Sequence, residues 1–128
     1  MSADPRYVEG VRLFNEREFF ACHDVLEELW GETLGRDRDF YQGLIHAAVC
    51  LFHFEEGNLG GARTMYESTR RYLLPVGASH LGLDLQSFLS ELRVCFSELL
   101  VSTNQYPTGV ELDPDRIPMF HLTPLVAP

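Results

Sequence analysis

The chain has 128 residues, of which 45% are hydrophobic, and its 19 acidic and 10 basic side chains give a formal charge of −9. This length is enough for one domain with its own core, and a surface this acidic disfavours binding to the phosphates of nucleic acids. No apolar run approaches the 18 or so residues of a membrane span, and the first ten residues have no basic, apolar leader, so we expect a soluble, cytoplasmic protein.

Apolar residues three and four positions apart predict helices at about 4–15, 18–33, 38–56, 59–74 and 84–103. Asp4 followed by Pro5 is typical of a helix start, and Gly57 and Pro75 are expected to end the third and fourth helices. Residues 105–128 contain several prolines, which predicts an extended tail that packs onto the bundle. The expected fold is therefore all-α, a single-domain bundle of about five helices with an extended Pro-containing C-terminal tail.

Three cysteines lie in the apolar helical segments. Cys22, Cys50 and Cys95 are odd in number and far apart in sequence. This pattern is typical of reduced thiols in a core rather than of a disulfide framework.

The second predicted helix carries polar residues within its apolar stripe. At 3.6 residues per turn, one arc contains Phe19, Cys22, Leu26, Leu29 and Trp30. His23 lies beside Trp30 in this arc, and Glu27 lies at its edge. We expect the imidazole and the carboxylate to face inward.

The third predicted helix has no charged residue from Phe40 to Phe54, so we expect other helices to surround it. Gln42, His46 and His53 project within roughly 40° of one another and form a polar seam on this helix. Buried polar groups without partners cost about 1–3 kcal/mol each, so the seam is expected to bond to His23 and Glu27.

The order H-x-x-x-E-x-x-W is present as His23, Glu27 and Trp30, followed by the segment QGLIHAAVCLFHFEEGNLGGA. These residues, together with the later segment YLLPVGASHLGLDLQSFL, resemble the bacterial and archaeal family called domain of unknown function 309. The resemblance implies a small all-α bundle, sometimes described as a predicted metal-dependent hydrolase. The chain departs from the usual pattern at Asp24, where Glu is common, and at His46, where Gln is common.

In the first hypothesis the chain is an enzyme with His23, Glu27 and Trp30 as its catalytic residues. His23 and Glu27 lie one turn apart, so both can reach one ion, with His46 or His53 as the third ligand. Since the two third-helix histidines are about 10.5 Å apart along the axis, we predict a metal set of His23, Glu27 and His46. Imidazole and carboxylate suit a divalent transition metal such as Zn, Mn or Fe. Gln42 and His53 are predicted to line the site.

In the second hypothesis the same residues form a buried hydrogen-bond network of a non-catalytic module. Glu27 would accept from the Trp30 indole or from His23, and the seam would bind a small ligand or only specify the fold. The fifth helix or the tail would then contact a partner or a second copy of the chain, as a homo-oligomer. An enzyme is expected to show a concave opening onto His23, and a module to show these groups sealed and mutually bonded. Asp24 is interpreted as a solvated charge, and His80 and His121 are given no ligand role.

Overall fold

A computed structural model describes residues 3–105 and 107–123, which form a bundle of α-helices. The helices are α1 Pro5–Asn15, α2 Phe19–Gly31, α3 Arg36–Glu55, α4 Leu59–Leu73, α5 Leu85–Cys95 and α6 Ser97–Leu100. Single 3-10 turns cover Leu74–Val76 and Pro114–Arg116, and a short antiparallel hairpin pairs β1 Ser79–His80 with β2 Leu83–Asp84. The prediction of an all-α bundle is confirmed.

Short polar side chains cap three of the helices. Asp4, Asn58 and Asp84 each accept a hydrogen bond from a backbone N–H in the first turn of α1, α4 and α5. Such caps satisfy donors that have no partner within the helix. These caps explain why the sequence predicts the first residues of α1, α4 and α5 to within one residue.

The prediction of one continuous fifth helix over 84–103 is wrong. It divides at Phe96 into α5 and the single turn α6. The Ser97 hydroxyl donates to the Val94 carbonyl at 2.8 Å, and a side chain that bonds the backbone in this way competes with the helical pattern. The apolar period continues across the break, so the pattern alone does not reveal it.

The connection between α4 and α5 contains the hairpin, which the sequence analysis did not predict. Its two-residue turn, Leu81 and Gly82, has positive φ at both positions, 45° and 77°. This is the geometry of the turn type that matches the twist of paired strands. Two-residue strands are too short to show an alternating pattern of polar and apolar residues.

Helix α3 packs between α2 and α4, and its buried face includes Phe40, Leu44, Leu51 and Phe54. The face that carries Gln42, His46 and His53 is only half-buried. The expectation that helices surround α3 on every side is therefore wrong for the polar seam. Because α2 and α4 flank this face without closing over it, a groove remains along the seam.

The tail packs onto the bundle as predicted, as far as it is described. The Phe120 ring stacks on Phe14 with centroids 3.9 Å apart and lies 4.5 Å from Phe88. The side-chain amide of Asn15 donates to the Phe120 carbonyl at 2.9 Å, and the Phe120 N–H donates to Asn15 Oδ1 at 2.7 Å. The rest of the predicted tail, Tyr106 and residues 124–128, lies outside the described residues.

None of the helices in the two described ranges has the length and apolar content that crossing a membrane requires.

We expect Gly43→Ala to lower the free energy of unfolding by about 1–3 kcal/mol, because overpacking a core contact forces neighbouring groups to move. A Cβ at Gly43 would lie 2.5 Å from Cγ of Leu73, which is fully buried on α4. Urea denaturation measures the change. Gly60→Ala is the matched control, since a Cβ there meets nothing within 4 Å, and an equal loss in both variants would contradict this account.

We expect Asn15→Ala to cost about 1–3 kcal/mol of unfolding free energy and to speed hydrogen exchange at the Phe120 amide, because the variant leaves two backbone groups without partners. Gln86→Ala, at an exposed position of α5, should change neither quantity. Unaltered exchange at Phe120 in the Asn15 variant would show that the tail is held by other contacts.

Candidate functional site

A cavity of about 350 Å³ lies where α2, α3 and α4 meet, and we call it the α2–α3 cavity. Its wall is formed by His23, Glu27, Trp30, Gln42, Ile45, His46, Val49 and Met65. The structure thus brings together the motif of α2 and most of the polar seam of α3, as expected. The expectation that the seam bonds to His23 and Glu27 is wrong, because Gln42 contacts His46 and, within the described part of the chain, no hydrogen bond joins either of them to the α2 pair.

His23 and Glu27 form a close pair at the solvent edge of this cavity. His23 Nε2 lies 2.8 Å from Glu27 Oε2, and the two side chains are 27% and 57% exposed. The i, i+4 spacing places both on one helix face. The imidazole therefore faces the cavity as expected, whereas the carboxylate remains accessible to solvent.

Asp24 is exposed, as interpreted from the sequence, but it also contacts the imidazole. Its Oδ1 lies 3.2 Å from His23 Nδ1. A ring with a carboxylate oxygen at each nitrogen can donate to both only when it is protonated, since a neutral imidazole has one N–H. Adjacent helical residues point about 100° apart, so the helical period does not predict this contact. Only the side-chain conformations bring the two groups together.

Trp30 contributes a buried donor to the cavity wall. Its Nε1 is inaccessible to solvent and has no hydrogen-bond partner among the described residues. The alternative in which Glu27 accepts from this indole is therefore wrong, and the Glu27 carboxylate lies against His23 instead. The Arg38 guanidinium lies 3.9 Å from the centroid of the Trp30 ring, a cation–π contact that holds the indole.

His46 is the second wall residue with a buried, unpartnered polar atom. Its Nε2 lies 3.4 Å from the amide nitrogen of Gln42, whereas Nδ1 has no partner among the described residues. The ring packs edge-on against Tyr72 with centroids 5.2 Å apart. Burial, and then the positive charge of Arg71, lower the pKa of His46 and favour the neutral ring.

His53 does not line the α2–α3 cavity. It borders a separate apolar groove of about 190 Å³, together with Phe19, Phe20, His23, Val49 and Phe52. Its Nδ1 lies 3.2 Å from the side-chain amide of Asn58, beyond the end of α3. The two turns between His46 and His53 explain why one cavity does not accommodate both.

The predicted metal set is not assembled in this structure. In residues 3–105 and 107–123, no group of three His, Cys, Asp or Glu side chains is arranged to hold one ion. His23 and Glu27 contact each other, and the unpartnered nitrogen of His46 is buried. The donors present therefore form a two-residue acid–base pair and do not fit a three-ligand metal centre.

The three cysteines are buried and unpaired, as expected for core thiols. Burial raises the pKa of Cys22 and of Cys95 to about 12 in each case. Thiols held in this form are poor nucleophiles, so none of them adds chemistry to the cavity.

One polar pair outside the cavity was missed by the sequence analysis. His80 Nε2 lies 2.6 Å from Asp37 Oδ1, and the His80 ring packs against Phe40 with centroids 4.7 Å apart. This pair joins the hairpin to the first turn of α3. The 43 positions that separate the two residues leave no local pattern from which the contact could be predicted.

Comparison with known proteins identifies a matching family model and several similar proteins. Residues 7–65 match the model of a family described as domain of unknown function (DUF309). The uncharacterized protein YpuF of Bacillus subtilis (strain 168) is 30% identical over 86 residues, which cover 65% of this chain and 49% of YpuF. An uncharacterized protein of Aquifex aeolicus (strain VF5) is 41% identical over 51 residues, 39% of this chain and 15% of that protein.

A third similarity is to tripartite terminase subunit 1 of human herpesvirus 1 (strain 17), which is 31% identical over 135 aligned positions, 85% of this chain and 17% of that subunit. The chain thus spans about half the length of YpuF and less of the other two proteins. The cavity residues from His23 to Met65 all lie within the segment that matches the family. Residues 7–65 of this chain are therefore similar to the family described as domain of unknown function (DUF309).

Proposed function

We propose that this chain binds a small molecule in the α2–α3 cavity and that the ligand presents a hydrogen-bond acceptor to it. One observation carries the proposal: Trp30 Nε1 and His46 Nδ1, both on wall residues of one cavity, are buried without partners among the described residues. A buried polar group without a partner costs about 1–3 kcal/mol. Because both atoms are inaccessible to solvent, the wall side chains must shift to admit a ligand to them, and the hydrogen bonds that it then forms recover that cost.

The unpartnered atoms are both donors. The Gln42 amide nitrogen can donate to His46 Nε2 only if that nitrogen carries no proton, so the neutral ring has its proton on Nδ1. The indole nitrogen of Trp30 is a donor only. The ligand chemistry that complements two N–H groups is a carbonyl or carboxylate oxygen.

The rest of the wall supports a partly apolar ligand. Ile45, Val49 and Met65 supply apolar surface, and the volume of about 350 Å³ lies within the range of small-molecule sites. Glu27, at the solvent edge, is suited to a donor or a cationic group on the ligand. The open edge at His23 agrees with a concave site and not with the sealed network of the second hypothesis.

A hydrolase is the second candidate, and the His23–Glu27 pair favours it. The Glu27 carboxylate, 2.8 Å from the His23 imidazole, can act as a general base that takes a proton from water while the water oxygen attacks the substrate. The family resemblance implies a metal-dependent form of this chemistry. Because the donors do not fit a three-ligand metal centre, we assign general acid–base catalysis to His23 and Glu27 and no step to a metal.

The binding proposal predicts that small amides, whose carbonyl oxygen is the acceptor, bind the wild-type protein. They should lose at least about tenfold in affinity in His46→Ala, which removes one of the two donors, and in the His23→Ala, Glu27→Ala double variant. Trp30 is the sole tryptophan, so its fluorescence reports on this cavity directly. Ligand-observed NMR with the same amides provides an independent measure of binding.

Glu67→Ala is the control, since it removes an exposed carboxylate from α4 away from the cavity wall. Binding that is equal in the double variant and the control would contradict the assignment. So would a fragment collection in which no amide changes the Trp30 fluorescence.

Elemental analysis of protein purified without an affinity tag tests the metal-free interpretation. We expect no stoichiometric transition metal in the wild type or in the His23→Ala, Glu27→Ala variant, because no three donor side chains among the described residues are arranged to hold one ion. One equivalent in the wild type that is lost in the variant would overturn it.

The buried neutral His46 predicts a pH dependence of stability. Its folded-state pKa lies below that of the unfolded chain, so its contribution is complete above the ordinary histidine pKa of about 6.5 and is lost as the pH falls through the lowered value. Urea denaturation at about pH 7.5 and about pH 5 should show a smaller loss for His46→Gln than for the wild type. Equal losses would mean that His46 does not contribute to the change.

A further inference from the structure

A second cavity, of about 360 Å³, lies next to the first, where the start of α3 meets the end of α4. We call it the arginine pocket, and its wall is formed by Arg36, Asp39, Arg71, Tyr72, Pro75 and Val76. Tyr72 links the two sites, since its ring also packs against His46. None of the other wall residues lines the α2–α3 cavity.

The two arginines carry charge that no carboxylate neutralises at close range. Among the described residues, neither Arg36 nor Arg71 has a carboxylate oxygen within 4.0 Å, whereas Arg6, Arg12 and Arg116 each form an ion pair. The chain has nearly twice as many acidic as basic residues, 19 against 10. Arg17, Arg38, Arg63, Arg70 and Arg93 also have no carboxylate oxygen within 4.0 Å among the described residues. The pocket is therefore distinguished by two such guanidinium groups in one wall, and not by the missing ion pairs themselves.

Both guanidinium groups are held by neutral partners. Arg36 donates to the Val76 carbonyl, and Arg71 Nη2 donates to Ser68 Oγ at 3.0 Å. A guanidinium has five N–H donors, so these bonds orient each group and leave donors for a ligand. An arginine that is already oriented loses less conformational entropy when a ligand binds.

Other charges at the pocket largely cancel. The positive end of α3 begins at Arg36 and the negative end of α4 lies at Leu73, so the two helix dipoles oppose each other here. Asp39 supplies one negative charge, which leaves the wall with a formal charge of +1. The arginines, rather than a helix end, thus determine the sign of the ligand.

We propose that Arg36 and Arg71 bind the carboxylate or phosphate group of a small molecule. The planar fork of a guanidinium matches two oxygens of either group, and the flanking Tyr72 ring and Pro75 offer apolar contact to the remainder of the molecule. This anion site is separate from the proposed α2–α3 site, and either can be present without the other.

The test follows the side-chain Nε–H resonances of Arg36 and Arg71 by NMR while inorganic phosphate or acetate replaces chloride at constant ionic strength. We expect saturable shifts of both resonances. Tighter binding of phosphate would identify a phosphate group as the natural ligand chemistry, and equal or tighter binding of acetate would identify a carboxylate. Shifts that rise linearly without saturation for both anions would overturn the site.

Arg71→Gln should weaken anion binding at least about tenfold, since one of two charged donors is lost. Arg71→Lys keeps the charge without the fork and should fall between the wild type and Arg71→Gln. Arg93→Gln, at an exposed position of α5, is matched in charge change and should bind as the wild type does. Thermal unfolding verifies that each variant is folded. Equal weakening of anion binding by Arg71→Gln and Arg93→Gln would overturn the site, because the effect would then come from net charge alone.

Discussion

The close approach of α3 and α4 at Gly43 and Leu73 is the contact on which the arrangement of both cavities depends. Because Gly43 has no side chain, Leu73 occupies the space next to the α3 backbone and the two helices lie close together. Gln42 and Tyr72 are the chain neighbours of this pair, and each faces a cavity. The same contact therefore places the Tyr72 ring against His46 and sets the start of α3 beside the end of α4.

The two faces of α3 explain why polar residues are tolerated in the middle of a helical bundle. Leu44 and Leu51 are fully buried in the core, while Gln42 and His46 lie on the half-buried side between α2 and α4. Closing that side completely would bury more polar atoms without partners, and each would cost about 1–3 kcal/mol. The groove is thus a consequence of the composition of α3. Hydrogen-bond donors remain in the wall of the α2–α3 cavity, and the His23–Glu27 pair lies at the edge of that cavity.

Much of the fold was predictable because the helices have strong local signals. Caps such as Asp4 and an apolar repeat of three and four residues depend only on near neighbours, so four helices were predicted to within about two residues of the observed ends. The break at Phe96 and the hairpin turn at Leu81 were not predicted. At Phe96 a local hydrogen bond interrupts the helix, although the apolar pattern continues through the break. At Leu81 the backbone conformation forms the turn, and the paired strands are too short to show a pattern.

The sequence by itself determined which residues share a helix face, because the helical period alone places His23 with Glu27 and Gln42 with His46. Tertiary structure decided what each of these groups bonds to. In one of two alternatives the Trp30 indole bonds to Glu27, but it has no partner among the described residues, and His53 faces another groove. Contacts between residues far apart in sequence follow from how helices pack and which rotamers fit, and neither leaves a periodic pattern in the chain. The gathering of Arg36 and Arg71 at one pocket has the same origin.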